Sequence, residues 1–379
     1  MKIVRSIQNQ IENALFKEKV IILYGARRTG KTTLVKSVLE KFGSDGKYIN
    51  CESLVNKQAL ETTHIENLKT FLGDYKLIVL DEAQTVDRIG HVLKLLIDTY
   101  PDMQIIATGS SSFDLANQIG EPLVGRSRTF VLYPLSLTEI KNHRDMLYVE
   151  SNIDRLLRFG SMPSVFGESE DESIDELDQI TTNYLYKDIL AFEGMKSPSF
   201  LISILQALAL QLGNEVSLRE IGQLVSASHN TVARYIDLLE KTHVIFSLNS
   251  LSRNPRNEIK RGKKIYFYDI GVRNTLIQNH NPLGVRTDTG ALWENFCILE
   301  MMKSAQITRR KYNHYFWRSN SQQEVDYIQE YGGNLHAYEF KLNPKKKPIV
   351  PSQFKELYPE HDFATVNREN YWKYLIVDT

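Results

Sequence analysis

Short apolar runs alternate with amphipathic stretches along the first 150 residues of the chain. The apolar runs are β-branched and almost uncharged, which is typical of strands buried on both faces of a sheet. The five predicted strands are Val20–Tyr24, Lys47–Asn50, Lys76–Asp81, Gln104–Thr108 and Thr129–Tyr133. The amphipathic stretches predict helices on both faces of a mostly parallel sheet, so residues 1–150 are expected to form an α/β domain.

The pattern becomes helical after this region, and residues 151–211 are predicted to be a helical linker or lid. Two further helical periods follow, separated by a polar break at Ser226–Ser228. Ser217 with Glu220 three residues later predicts a capping box at the start of the first helix. The short strands "IFSL" and "KIYFYD" come next, so residues 212–272 are predicted to be a winged helix-turn-helix.

The last hundred residues contain one long helical period, "GALWENFCILEMMK", and then three alternating segments. These segments, "HYFWRS", "EVDYIQE" and "LHAYEFK", predict strands, and "YGGN" between the last two predicts a hairpin turn. Residues 285–379 are therefore predicted to form a small α/β domain.

Composition limits the protein class without identifying it. The 379 residues are enough for two or three domains, and 42% hydrophobic with 24% charged residues is ordinary for a globular protein. No run approaches the roughly 18 apolar residues of a membrane span, and the N-terminus lacks a secretory signal, so a cytoplasmic protein without a membrane partner is expected. Cys51 and Cys297 have neither disulfide nor zinc spacing.

Charge is balanced overall, with 46 basic and 46 acidic residues, so it does not indicate a nucleic-acid binder. The distribution is uneven. Residues 168–178 carry seven acids and are expected to be solvated, whereas residues 253–264 carry six bases and one acid. The basic run is either a solvated loop or a wing that contacts phosphates.

A phosphate-binding loop is predicted by Gly25, Gly30, Lys31 and Thr32, which match GxxxxGK[ST] between a buried strand and a helical run. The glycines let backbone N–H groups surround the phosphates, Lys31 neutralises their charge, and Thr32 places a hydroxyl on magnesium. The sequence therefore predicts ATP and Mg²⁺ as ligands. The predicted nucleotide-binding residues are Gly25, Arg28, Thr29, Gly30, Lys31, Thr32, Thr33, Asp81, Thr108 and Ser110.

Two acids end the strand in "KLIVLDEAQ". Asp81 is predicted to hold magnesium through water, and Glu82 is predicted to activate the attacking water. Thr108 or Ser110, after the next strand, either positions that water or merely caps the strand.

Two arginines, Arg126 and Arg128, precede the last strand of the predicted sheet. In a ring-forming ATPase an arginine here reaches the γ-phosphate of a neighbouring copy. The alternative is that each forms a surface salt bridge.

The segments "YGARRTGKTTL", "LIVLDEAQ", "IIATGSSS", "LVGRSRTFVLYPLSLTE", "LLRFGSMPSVF" and "YLYKDIL" together resemble a bacterial and archaeal group of AAA+ ATPases. The resemblance covers nearly the whole chain. It implies a P-loop AAA+ core, a winged helix and a C-terminal domain of unknown function in one polypeptide. It also implies an ATP-dependent homo-oligomer, with a ring as one arrangement.

A second candidate site lies in the C-terminal strands. Alternation places Glu339 and Lys341 on one face of their strand, with Asp326 on the paired strand and Glu294 on the preceding helix. Carboxylates can hold Mg²⁺ or Mn²⁺, and Lys341 can orient or deprotonate water against a phosphodiester, so Glu294, Asp326 and Glu339 are predicted metal ligands. The ordered set resembles the PD-(D/E)xK nuclease fold, although no proline precedes Asp326. The alternative is an exposed charge pair on a hairpin.

Three functions are compatible with these patterns. The preferred hypothesis is an ATP-hydrolysing protein whose nucleotide state controls a metal-dependent nuclease-like domain acting on DNA or RNA. The second is a signalling or assembly ATPase with an inactive, partner-binding C-terminal domain. The third is a DNA-binding regulator that uses the winged helix. Its predicted contacts are Ser228, His229, Asn230, Thr231, Arg234, Arg256, Lys260 and Arg261.

Overall fold

The computed structural model describes residues 3–62, 64–109, 123–184, 198–252 and 262–378. Contacts divide the chain into two compact units. The N-terminal unit is Met1–Pro134 with Lys241–His243, and the C-terminal unit is Leu135–Glu240 with Val244–Thr379.

The N-terminal unit contains a five-stranded sheet in the order β2-β3-β4-β1-β5. All four strand pairings are parallel. The strands are β1 Val20–Tyr24, β2 Gly46–Asn50, β3 Leu77–Asp81, β4 Gln104–Gly109 and β5 Ser127–Val131. The parallel α/β fold predicted from the apolar runs is confirmed, with strand ends that differ by up to two residues because pairing with neighbours sets them.

Helices cover the two faces of this sheet. They are α1 Gln8–Glu12, α2 Lys31–Glu40, α3 Leu54–Leu60, α4 Ile65–Leu72 and α5 Ile89–Thr99. Alternate residues of β1 enter two separate apolar clusters, as the two-residue period of a strand requires. Ile21 packs in the cluster that contains Val35 of α2, and Ile22 packs in the cluster that contains Leu93 of α5.

The C-terminal unit mixes ten helices with seven strands among the described residues. Its helices are α6 Leu137–His143, α7 Met146–Phe159, α8 Glu170–Gln179, α9 Pro198–Leu210, α10 Leu218–Leu224, α11 His229–Lys241, α12 Ile270–Leu276, α13 Thr289–Ile307, α14 Ser352–Leu357 and α15 Trp372–Leu375. Its strands are β6 Glu215–Val216, β7 Ile245–Ser250, β8 Lys263–Phe267, β9 Asn313–Arg318, β10 Glu324–Tyr331, β11 Asn334–Phe340 and β12 His361–Val366. No helix in the described ranges has the length and apolarity needed to cross a bilayer.

The seven strands form one sheet in the order β12-β11-β10-β9-β7-β8-β6. Strands from the predicted winged helix, residues 212–272, therefore share a sheet with strands from the predicted domain at residues 285–379. The two groups meet where β7 pairs with β9 in parallel, and the Leu251 N–H donates to the Phe316 carbonyl over 2.7 Å. This pairing joins strands far apart in sequence and leaves no local pattern.

Helices α10 and α11 follow one another, with residues 225–228 between them. The Ser217 hydroxyl accepts a hydrogen bond from the Glu220 N–H over 3.3 Å, which is one half of the predicted capping box. A Cβ atom on Gly222 would lie 2.6 Å from the Ala227 carbonyl oxygen, so the turn approaches α10 closely. The apolar residues of α11, including Val232 and Leu239, are buried. The wing itself stays a prediction.

Candidate functional site

The segment between β1 and α2 forms a tight loop at the carboxyl end of β1. Gly30 has a left-handed backbone, with φ of 93°, immediately before α2 begins at Lys31. Gly25 has φ of 151°, and a Cβ atom there would lie 2.4 Å from the Leu132 carbonyl oxygen. Both positions favour glycine, and the first turn of α2 lies at the end of this loop.

The ammonium group of Lys31 lies within its own loop. Lys31 is only 5% exposed, and its Nζ donates to the carbonyl oxygens of Gly25 and Ala26 over 2.9 and 3.0 Å. Thr29 closes the loop by donating to the Ala26 carbonyl over 2.8 Å. Arg5 supports it from the N-terminus, with hydrogen bonds of 2.6 Å to the carbonyls of Thr29 and Tyr133. No motif in the sequence indicated this role for Arg5.

Asp81 accepts hydrogen bonds from three hydroxyl groups. Its Oδ2 accepts from Thr32 over 2.8 Å and from Tyr48 over 2.6 Å, and its Oδ1 accepts from Thr108 over 2.5 Å. These contacts join α2, β2, β3 and β4 at one carboxylate that is 3% exposed. Burial and the Asp81 carboxylate raise the pKa of Tyr48. Tyr48 was missed by the sequence reasoning because a tyrosine in a strand carries no motif.

Glu82 leaves the strand in a left-handed conformation, with φ of 54°. A non-glycine residue rarely adopts this conformation, and it is frequent at functional sites. The Glu82 N–H donates to the Thr108 hydroxyl over 3.1 Å, and the Glu82 carboxylate accepts from Gln84 over 2.5 Å. Glu82 is therefore fixed at both its backbone and its carboxylate.

The donor set at this site fits magnesium. The Thr32 hydroxyl and the Asp81 carboxylate supply the hard oxygen ligands that this ion prefers, and they already lie 2.8 Å apart. Arg28 and Thr33 are exposed at the loop and the first turn of α2. Ser110 lies outside the described residues.

Arg126 and Arg128 lie away from the loop of their own chain. Val20 pairs with Ser127, so both arginines are at the amino end of the sheet, while the loop follows the carboxyl end of β1 at Tyr24. Five strand residues separate these ends by about 13 Å. Arg126 forms a 2.6 Å ion pair with the partly exposed Asp98, and the Arg128 guanidinium lies 5.6 Å from the centre of the Phe130 ring.

Three of the four predicted C-terminal site residues meet on the β10–β11 hairpin. The Lys341 Nζ lies 2.7 Å from a Glu339 oxygen and 3.1 Å from Asp326 Oδ2. The Phe340 N–H also donates to Asp326 over 2.9 Å. Burial and repulsion by Asp326 raise the pKa of Glu339 to about 7.

Glu294, the fourth predicted residue, is held by two residues of β8. It accepts hydrogen bonds from the Tyr266 hydroxyl over 2.5 Å and from the Lys264 Nζ over 3.1 Å. Lys264 also pairs with Glu324. Burial and Asp326 raise the pKa of Glu294 to about 7, although Lys264 opposes this shift. Glu294 therefore belongs to the same electrostatic cluster as Asp326.

The buried position of Lys264 contradicts its assignment to the basic loop. Lys264 was counted among the bases of a solvated or phosphate-binding loop, yet it is 1% exposed inside this cluster. Its place in the alternating strand "KIYFYD" was the available signal. The wing residues Arg256, Lys260 and Arg261 lie outside the described residues.

The C-terminal cluster pairs its carboxylates with lysine side chains. In the described part of the chain no group of three or more His, Cys, Asp or Glu side chains has the geometry to hold a metal ion. Lys341 bridges Asp326 and Glu339, and Lys264 bridges Glu294 and Glu324. The two ammonium groups offset part of the negative charge of these four carboxylates.

Three family models match successive parts of the chain. Residues 17–141 match an AAA domain, residues 150–283 match a domain of unknown function, and residues 289–374 match a second domain of unknown function. The chain thus contains an AAA-type ATPase-like domain, which includes the loop between β1 and α2. The predicted winged helix and nuclease-like domain are not identified by these matches.

Similar proteins cover most of the chain. An uncharacterized protein of Mycobacterium tuberculosis is 28% identical over 344 residues, which are 89% of this chain and 73% of the relative. An uncharacterized protein of Methanocaldococcus jannaschii is 25% identical over 367 residues, covering 90% of this chain and 79% of the relative. The Aeropyrum pernix ORC1 protein, solved in complex with DNA, covers 73% of this chain and 93% of its own at 13% identity and a TM-score of 0.33. That score is too low to indicate a shared overall fold.

Proposed function

We propose that the protein binds ATP with magnesium at the loop between β1 and α2 and hydrolyses it. The observation that carries this proposal is the 2.8 Å hydrogen bond between Thr32 and Asp81, beside a loop that encloses the Lys31 ammonium group. The match of residues 17–141 to an AAA domain supports the same function.

Each residue of the site has its own role in ATP hydrolysis. The loop N–H groups and Lys31 bind the phosphates and balance their negative charge. Thr32 and Asp81 would hold magnesium, which supplies further positive charge to the transferred phosphoryl group when bound. Thr108 bonds to both Asp81 and the Glu82 backbone, and so keeps the two acids in register. The Glu82 carboxylate orients the attacking water and accepts its proton.

Phosphate release and nucleotide binding by the intact protein test this proposal. Lys31→Ala should lose both, because the phosphates lose their main cation. Glu82→Gln should keep nucleotide binding while turnover falls by a factor on the order of 100 or more. Lys41→Ala, at the end of the same helix and paired with Glu12, is the matched control and should behave like the wild type. Equal turnover by Glu82→Gln would contradict the role of this residue as the base.

Nucleic-acid cleavage under nucleotide control is the second candidate function. It is supported by the convergence of Asp326, Glu339 and Lys341, as the strand pattern predicted. Lys341 offsets only part of the negative charge of Asp326 and Glu339, so the need for a divalent cation is part of the test.

The test is incubation with DNA or RNA and Mg²⁺ or Mn²⁺, with and without ATP. Cleavage that Lys341→Ala abolishes would support a nuclease. No cleavage under any condition, or equal cleavage by the variant, would favour an ATPase whose C-terminal unit binds a partner.

A further inference from the structure

Four tyrosines gather where β9, β10 and β11 reach the surface. Tyr312 precedes β9, Tyr331 ends β10, Tyr338 lies on β11 and Tyr374 lies on α15. The rings of Tyr312 and Tyr331 are 5.6 Å apart, and those of Tyr338 and Tyr374 are 6.1 Å apart. The two pairs are linked through His314 and Tyr327: the ring centres of Tyr312 and His314 are 6.5 Å apart, those of His314 and Tyr327 5.8 Å, and those of Tyr327 and Tyr338 6.1 Å. We call Tyr312, Tyr331, Tyr338 and Tyr374 the tyrosine surface.

Along one face of β10 the tyrosine side chains change from buried to solvent-exposed. Tyr327 and Tyr331 are on the same face of β10, but Tyr327 is fully buried while Tyr331 is 52% exposed. The turn that follows consists of Gly332 and Gly333, with φ of 60° and 84°, as a two-residue hairpin requires. A Cβ atom at either glycine would meet no described atom within 4 Å, and both glycines are exposed, so the turn itself is open to solvent.

Three consecutive cations, Arg309, Arg310 and Lys311, border the tyrosine surface and are exposed. Helix α13 ends just before them, with Arg309 in a left-handed conformation at φ of 57°. The Arg310 guanidinium donates to the Tyr312 hydroxyl over 3.3 Å. Throughout the described ranges none of the three cations forms an ion pair with a carboxylate.

The acids closest to this surface already have partners. Glu330 accepts hydrogen bonds from Asn313 over 2.5 Å and from the Gly333 N–H over 3.1 Å. Asp362 lies 3.0 Å from His336. With three cations and two acids, the edge of the tyrosine surface carries a net positive charge.

One exposed and three half-buried tyrosine rings, beside cations that form no ion pair, fit a flexible polyanion that carries its own planar rings. Bases of a single strand can stack on tyrosines while the phosphates meet the cations, whereas the bases of a duplex are not available for stacking. We propose that the tyrosine surface, with Arg309, Arg310 and Lys311, binds single-stranded nucleic acid. Asp326 and Glu339 are on the opposite face of β10 and β11, so this binding does not depend on their chemistry.

Fluorescence anisotropy with the full-length protein tests whether nucleic-acid bases stack on the tyrosine rings. The probes are a labelled oligothymidine of about 20 nucleotides and a duplex of the same length. The wild type should bind the single strand more tightly than the duplex. Tyr312→Ala with Tyr331→Ala should weaken single-strand binding by about tenfold or more, whereas Tyr312→Phe with Tyr331→Phe should keep it because the ring faces remain.

The dependence of single-strand affinity on salt concentration tests whether the three cations contact phosphates. Changing Arg309, Arg310 and Lys311 to Gln should reduce the slope of log affinity against log salt by about 2. The matched control changes Lys345, Lys346 and Lys347 to Gln, which removes the same charge from another exposed run and should leave the slope unchanged. No binding by the wild type, unchanged binding by the double alanine variant, or an equal loss in the lysine control would each overturn the proposal. Phosphate release by the same variants separates this result from the ATPase proposal.

Discussion

Gly25 and Gly125 both have positive φ, 151° and 76°, but only Gly25 is tightly packed. A Cβ atom at Gly25 would lie 2.4 Å from a backbone oxygen, and one at Gly125 would meet no described atom within 4 Å. We therefore expect Gly25→Ala to abolish nucleotide binding and to lower stability clearly more than Gly125→Ala, which should cost about 1–2 kcal/mol of backbone strain. Urea unfolding and nucleotide binding measure both effects. Equal stability losses would contradict the close packing.

Glu339 should make stability depend on pH. Its pKa is raised from 4.5 to about 7 in the folded protein. Between these values the folded state holds a proton that the unfolded state has released, so stability is highest near the lower value and falls as pH rises to about 7. Glu339→Gln should flatten this slope, worth on the order of 1–3 kcal/mol.

Urea unfolding at several pH values between these limits measures the slope. Glu339→Asp keeps a titratable carboxyl group at the position and should retain it. An unchanged slope in Glu339→Gln would show that other groups produce it.

At the scale of elements, helix α13 holds the first residues of the C-terminal unit through a buried ion pair. Glu300 and Lys303 lie 2.7 Å apart, with side chains 2% and 3% exposed. The Glu300 carboxylate accepts from the Leu137 N–H over 2.8 Å, and the Lys303 Nζ donates to the Leu135 carbonyl over 2.9 Å. The pair thus satisfies backbone groups of the segment that leads into α6.

Breaking this pair should cost more than removing it. Lys303→Met leaves Glu300 buried without its cation, and we expect a loss of about 3–5 kcal/mol in the free energy of unfolding. Glu300→Gln with Lys303→Met leaves no uncompensated charge and should be more stable than Lys303→Met alone. Urea unfolding of the wild type, Lys303→Met, Glu300→Gln and the double variant measures the difference, and strictly additive losses would argue against coupling.

The elements show where sequence reasoning succeeds and where it stops. The apolar runs predicted the central strands β1, β3 and β4 because each of these is buried along its whole length, whereas the edge strands β2 and β5 are partly exposed. The sequence predicted Thr32 and Asp81 as site residues because each belongs to a short motif. Lys264 and Tyr48 were missed because their carboxylate partners, Glu294 and Asp81, lie about 30 residues away, and only tertiary packing brings them together. The pairing of β7 with β9 was missed for the same reason.

At the scale of the whole molecule, the position of Arg126 bears on whether two copies of the chain act together in ATP hydrolysis. It lies at the end of its sheet opposite the loop, so a catalytic role requires the loop of a neighbour. On that hypothesis we expect turnover per molecule to rise with protein concentration, and Arg126→Ala to be inactive alone.

Mixing two inactive proteins tests the hypothesis directly. Arg126→Ala supplies an intact loop, and Lys31→Ala supplies an intact arginine, so the mixture should regain part of the phosphate release. Arg128→Ala, whose side chain packs on Phe130, is the matched control and should stay active alone. Wild-type turnover by Arg126→Ala would leave this residue with only its surface ion pair to Asp98.

The shared sheet has a consequence for how such chains are inherited. Residues 150–283 and 289–374 match two separate family models, yet β7 of the first pairs with β9 of the second. A recombinant that exchanged either segment with an unrelated protein would leave an unpaired strand edge, which invites aggregation. We therefore expect the two segments to occur together in related proteins. The border between the two family models divides the sequence, but it does not divide the sheet.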